Sequence, residues 1–228
     1  MKKIPIKKEI IIIIFGIILN FLASHYNLNK YDKIIKNYEG KSYNQILGSD
    51  LGNIWGYAEN FRTKISQTEN FFESLPHYER FYLPSILIGF YYHFIDKEIY
   101  KTIDTGEKII KEDNYKFGLL LIQILLYYSS VYLFVKLLKE KYQIKYHFIL
   151  LIFLCFEPTI IQWHHSFWTE SLFITMMLFL FYMLIKNSET FWFNFIIGFL
   201  VALMFAQRSF SFFYILPVLI YFIFLIKR

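Results

Sequence analysis

The chain has a single cysteine, Cys155, set in an apolar run. No intrachain disulfide can form, cysteine usage gives no information on redox compartment, and Cys155 is expected in the core. Segments of about ten residues alternating apolar and polar, the pattern of a membrane β-barrel, are missing. The N-terminal stretch IIIIFGIILNFLAS follows the charged start MKKIPIKKE but lacks a convincing small-residue cleavage site, so it reads as an uncleaved anchor and not as a secretory signal. No internal repeat of 20 to 50 residues is visible. The abundant Lys, Ile, Asn, Phe and Tyr reflect a bias of the whole chain instead of local low complexity.

What is present is apolar surface. Of 228 residues, 56% are hydrophobic and 22% aromatic, more than a water-soluble domain of this length could bury. Continuous runs such as FGLLLIQILLYYSSVYLFVKLL and SLFITMMLFLFYMLI approach the length needed to cross a hydrocarbon core of roughly 30 Å as helices. Backbone groups in lipid must be satisfied within the segment, so the fold class is all-α, a polytopic helical bundle. The net charge of +6 would suit nucleic acid, but the basic residues flank hydrophobic runs, where they report orientation. No nucleic-acid partner is expected.

The spans are expected over 9–24, 116–136, 146–162, 167–185, 191–207 and 210–226. A further apolar stretch over 81–95, FYLPSILIGFYYHFI, covers only about 22 Å as a helix and begins with Pro84, so it is short for a crossing. If it does not cross, Lys2, Lys3, Lys7 and Lys8, then Lys136, Lys139, Lys141 and Lys145, then Lys186, then Lys227 and Arg228 all fall on the cytoplasmic side. If it crosses, the clusters at 136–145 and 227–228 face outward. The basic residues therefore favour a cytoplasmic N-terminus, a long outer segment over 25–115 and five further spans over 116–226, in one membrane domain of residues 1–228. Within the outer segment Leu51, Ile54, Trp55, Ala58, Phe61 and Ile65 fall at helical spacing. They predict a surface helix over 50–66, lying flat with its Trp at the interface.

Under this arrangement Asp50, Glu79, Arg80, His164, His165, Glu170 and Arg208 reach one outer face, as the residues of a site would. Each has a plainer reading. Asp50 could cap its helix, Glu79 and Arg80 could form a solvated ion pair, and Arg208 could snorkel to ordinary headgroups. Glu170, one turn into an expected span, needs pairing or hydration and is harder to explain as decoration. The two histidines match no recognised zinc spacing. Glu157-Pro158 interrupts an apolar run, where the proline should break the helix and leave carbonyls free.

In order along the chain stand Asp50 with Ala58, then Glu79-Arg80 before an aromatic-proline stretch, then Pro158 and Thr169-Glu170-Ser171-Leu172-Phe173, then a glycine-started span from Gly198 to Arg208. This order resembles the membrane glycosyltransferases of the GT-C fold, in their protein mannosyltransferase, aminoarabinose transferase and rhizobial galacturonosyltransferase branches. The resemblance implies an N-terminal module of a larger fold. It also implies transfer of a sugar, with inversion, from a polyprenyl-phosphate-linked donor to a lipid, glycan or protein acceptor on the outer side of the cell (inner) membrane. Carried over by position, Asp50, Glu79 and Glu170 would be catalytic, and Arg80, Arg208 and His165 would contact substrate. The cofactor is left unknown, with a divalent metal held by carboxylates as one possibility. The competing readings are a non-enzymatic membrane protein, such as a transporter or flippase segment or an inactive remnant, and another outer-face polysaccharide enzyme. Transport would call for ionisable residues near the midplane, where Glu157 is the one candidate.

Overall fold

The computed structural model describes residues 8–37, 49–67, 83–102, 108–110, 115–165, 169–186 and 190–207 and the isolated positions 218, 220 and 223. The helices are α1 (Lys8–Asn37), α2 (Ser49–Gln67), α3 (Leu83–Phe94), α4 (Tyr115–Tyr142), α5 (His147–Phe156), α6 (Pro158–His165), α7 (Thr169–Lys186) and α8 (Phe191–Gln207). Strands β1 (Tyr100–Thr102) and β2 (Lys108–Ile110) form an antiparallel pair between α3 and α4. The architecture is otherwise helical among the described residues, in keeping with the all-α expectation, and this short hairpin is an addition to it. Three residues per strand leave too short a pattern to read against the surrounding helices. Two helical stretches, Lys8–Tyr26 and Phe117–Tyr142, are long and apolar enough to cross a membrane, and Phe191–Met204 and the broken His147–Ile161 are shorter apolar helices. The expected span over 210–226 lies almost wholly outside the described residues.

Side-chain contacts fix how the helices run. Glu9 at the start of α1 pairs with Lys139 near the end of α4, while His25, farther along α1, stacks on Phe117 at the start of α4 with ring centroids 4.4 Å apart. The two helices are thus antiparallel. The Gln123 amide of α4 donates to the Ser171 hydroxyl of α7 at 2.6 Å, and Lys141 donates to the Ile185 carbonyl, so α7 runs parallel to α4. One end of the bundle therefore gathers Glu9, Lys139, Lys141 and Lys186, and the other gathers His25, Phe117, Gln123 and Ser171. Helix α3 belongs to the second end, where Tyr91 lies against Gly118. Its 12 residues span about 18 Å.

Helix α1 continues well past the expected 9–24 boundary, and its 30 residues rise about 45 Å, longer than a hydrocarbon core. Two helices end without glycine. Asp96 after α3 and Gln143 after α4 adopt φ of 53° and 51°. At the first, the Lys97 N–H donates to the Tyr92 carbonyl at 3.0 Å, which closes the last turn in the manner of a Schellman motif.

The run over 147–165 is broken where Pro158 stands. Proline has no N–H, so the Leu154 carbonyl loses its helical donor. The next donor is diverted, because the Glu157 carboxylate caps α6, accepting from the N–H of Ile160 at 2.8 Å and from Thr159. Both stranded carbonyls are met from α4. The Tyr127 hydroxyl donates to Leu154 O at 2.6 Å and the Tyr128 hydroxyl to Cys155 O at 2.7 Å. Gly16 of α1 makes room, since a Cβ there would come within 2.7 Å of the Tyr128 ring. Asn20 hydrogen-bonds the Tyr128 oxygen and accepts from Ser24 at 3.2 Å. Asn20 and Ser24 are fully buried, so this polar chain lies inside the contact between α1 and α4.

Around it pack Ile124, Val131, Leu151 and Cys155, as expected for the cysteine, while Met176, Leu180, Met183, Ile197 and Met204 close α7 on α8. In lipid, burial from water contributes little between helices, and close packing and polar contacts carry the association. The tyrosine bonds are thus expected to be interdependent with the break. Tyr127→Phe should cost about 1 to 2 kcal/mol in the native chain. It should cost much less beside Pro158→Ala, which restores the missing N–H. A double-mutant cycle on unfolding in detergent measures the difference.

Candidate functional site

The end of the bundle carrying α3 also carries the start of α7 with Glu170, one of the expected site residues. Helix α2 packs on α3 through Ile54, Trp55, Ala58 and Phe61, each at most 4% exposed. Trp55 meets Tyr92 edge-on at 6.3 Å. It is therefore a core residue of the cap and not the interfacial anchor that the sequence suggested. The helix buries its apolar stripe on a neighbouring helix, which the spacing of the stripe could not distinguish from burial in headgroups. The close fit depends on Gly89, where a Cβ would come within 2.7 Å of the Ala58 carbonyl oxygen and 2.8 Å of the Phe61 ring.

A second contact that sequence reading missed pins the chain after α3 to α2. Glu59 receives two hydrogen bonds from Arg62, at 2.9 and 2.7 Å, and a third from the Ile99 N–H at 3.2 Å. The hydrogen bonds it donates to Glu59 hold the Arg62 guanidinium above its ordinary pKa, against partial desolvation. The i, i+3 spacing of Glu59 and Arg62 on an amphipathic helix was the available signal.

Below this cap, α3, α4 and α7 enclose an apolar groove of about 180 Å³, lined among others by Pro84, Leu87, Ile122, Leu126 and Leu172, with Gln123 and Thr175 as polar points. The Ser171 hydroxyl, held by Gln123, and the Thr175 hydroxyl, donating to Ser171 O at 2.9 Å, occupy the same side of α7. Glu170 is half-buried in the first turn of α7, directly before Ser171, where a carboxylate also complements the helix dipole.

The other expected site residues divide as follows. Asp50 is the second residue of α2, inside its first turn, and its side chain lies outside the described residues. His165 closes α6, again with an undescribed side chain, as does His164 before it. Glu79, Arg80 and Arg208 lie outside the described residues. Among the described residues no three His, Cys, Asp or Glu stand close enough to hold a metal ion. Glu157, the one candidate for a midplane ionisable group, is occupied in capping α6.

Residues 103–228, more than half of the chain, match the family described as dolichyl-phosphate-mannose-protein mannosyltransferase. The chain belongs to this family, which is membrane-embedded and of the GT-C glycosyltransferase type. Comparison with curated proteins and with solved structures gives no match.

The fit of the cap is testable. In an otherwise native chain Ile54→Cys should resist a water-soluble maleimide, because position 54 is 3% exposed and Cys155 is 1% exposed. Adding Gly89→Val should make position 54 react, since α2 can no longer approach α3.

Proposed function

We propose that the chain transfers a sugar from a polyprenyl-phosphate carrier to a lipid, glycan or protein acceptor on the outer face of the cell membrane. The observation that carries the reading is the asymmetry of the bundle. Helix α2 on α3, the apolar groove and the Glu170 end of α7 share one end, and Lys8, Lys136, Lys139, Lys141 and Lys186 are carried toward the other. Basic residues at helix ends favour the cytoplasmic side, which supports an outward-facing cap and a cytoplasmic N-terminus. Reporter fusions after Lys97 and Lys141 should then report opposite sides, and fusions reporting the same side would overturn the orientation.

The groove suits the first isoprenyl units of a carrier, with the phosphate above it at the level of the cap. In this reading the acceptor hydroxyl attacks the anomeric carbon as the bond from that carbon to the carrier phosphate breaks. The phosphate leaves on the lipid, the configuration inverts, and the acceptor proton passes to a carboxylate. Asp50 takes the proton or orients the acceptor, Glu170 is the second acidic group, and Glu79 contacts the acceptor or a divalent metal. Arg80 and Arg208 neutralise the leaving phosphate, and His165 is a further substrate contact. The spans over 9–24 and 116–226 form the N-terminal module of this active site, with 25–115 as its outer loop.

Asp50→Asn and Glu170→Gln should each lower transfer by about 100-fold or more while leaving membrane insertion intact. The measurement is release of polyprenyl phosphate from a labelled donor in membranes. Near-native release by either variant removes that residue from the mechanism. Leu126→Trp, which fills the groove, should raise KM for the lipid donor more than it lowers kcat.

A further inference from the structure

The opposite end of the bundle has a cavity of its own, of about 390 Å³, between the start of α1, the end of α4 and the start of α5. Its chemistry is mixed. Lys8 and Lys136 line it with no carboxylate partner among the described residues, Lys136 instead lying 5.9 Å over the Tyr132 ring. Glu9 is engaged by Lys139, and Glu140 adds a second carboxylate at the wall. His147, only 8% exposed, lines the cavity beside Glu9.

His147 defines what is missing. Its Nδ1 lies 3.1 Å from the Ile144 carbonyl oxygen, which can only accept, so Nδ1 carries the proton. In the neutral ring Nε2 is then an acceptor. That atom is buried, has no hydrogen-bond partner, and lies 3.5 Å from a Glu9 oxygen, with which it forms an ion pair only when the ring is charged. Such a buried atom is costly unless something donates to it. A bare anion would meet Lys8 and Lys136 but would face Nε2 and two carboxylates with nothing to donate. A ligand with an anionic phosphate and nearby hydroxyls satisfies both sets: the phosphate at the lysines, the hydroxyl protons at Nε2 and the carboxylates. The cavity lies at the ends of α1 and α4, where lipid headgroups sit.

We infer that this cavity is a binding site for a phosphodiester lipid headgroup that bears free hydroxyls, such as a glycerol headgroup. No residue of the proposed catalytic set lines it, so the inference stands apart from the proposed transfer reaction.

The test is native mass spectrometry of the full chain in detergent, titrated with phosphatidylglycerol, phosphatidic acid or phosphatidylcholine of matched acyl chains. Phosphatidylglycerol should be retained at least about ten-fold more tightly than phosphatidylcholine, and the Lys8→Gln/Lys136→Gln variant should lose that preference. Both lysines are exposed, so this variant should fold. Phosphatidic acid, which lacks the hydroxyls, should bind several-fold more weakly than phosphatidylglycerol. His147→Leu should abolish the difference between those two lipids, whereas His147→Gln, which keeps an acceptor, should preserve it. An unchanged preference in the double lysine variant overturns the site, and equal retention of the two anionic lipids overturns the role given to the hydroxyls. Free glycerol phosphate binding as tightly as the lipid would reassign the cavity to a soluble ligand.

Discussion

A backbone defect, repaired from a neighbouring helix, governs the packing of this bundle. Pro158 deprives one carbonyl of its donor, the Glu157 cap diverts the next, and two adjacent tyrosines of α4 replace what is lost. In a hydrocarbon environment such carbonyls have no water to turn to, so the break exists only because α4 stands beside it. The dependence also runs the other way. Tyr127 and Tyr128 are among the largest fully buried side chains, and their hydroxyls are accommodated inside the bundle by those carbonyls and by Asn20. Position 16 must then be small, because the Tyr128 ring fills the space where a Cβ would project. Three helices are locked in register by one proline.

The cap obeys a different constraint. Helix α3 is too short to span and too apolar to leave in water, so it needs cover on more than one side. Helix α2 supplies one cover through the Gly89 contact, and the flanks of α4 and α7 supply the other. The groove is what remains where α3 and the two longer helices fail to close. Because its lining is largely apolar, it offers a hydrocarbon chain surroundings close to those of the bilayer, with Tyr91, Gln123 and Thr175 adding polar groups.

Much of this was legible in the residues. The proline break and its free carbonyls follow from the chemistry of proline, and the helical spacing over 50–66 follows from the apolar stripe. The partners of those features were not legible. Nothing in the local pattern says that the stranded carbonyls would be answered by Tyr127 and Tyr128, about thirty residues earlier in the chain. Nor does it say that Trp55 would meet Tyr92 and not the headgroups. Burial against a helix and burial in an interface select the same amphipathic spacing, and only the presence of a small residue opposite, here Gly89, separates them. The candidate site was legible only as an order of short motifs. Of its residues, Glu170 alone has a described side chain, and the distance between it and Asp50 depends on contacts among α2, α3 and α7 that no periodicity encodes.

The break and the site are nonetheless joined through a single face of α4. Gln123 and Tyr127 lie one turn apart on that helix, so they project in nearly the same direction. Tyr127 fixes the end of α5, and with it the start of α6, while Gln123 fixes Ser171 at the start of α7. Only three residues separate His165, at the end of α6, from Thr169. The end of α5 and the start of α7 are therefore anchored to adjacent turns of one helix, and their relative height in the bundle is set by α4.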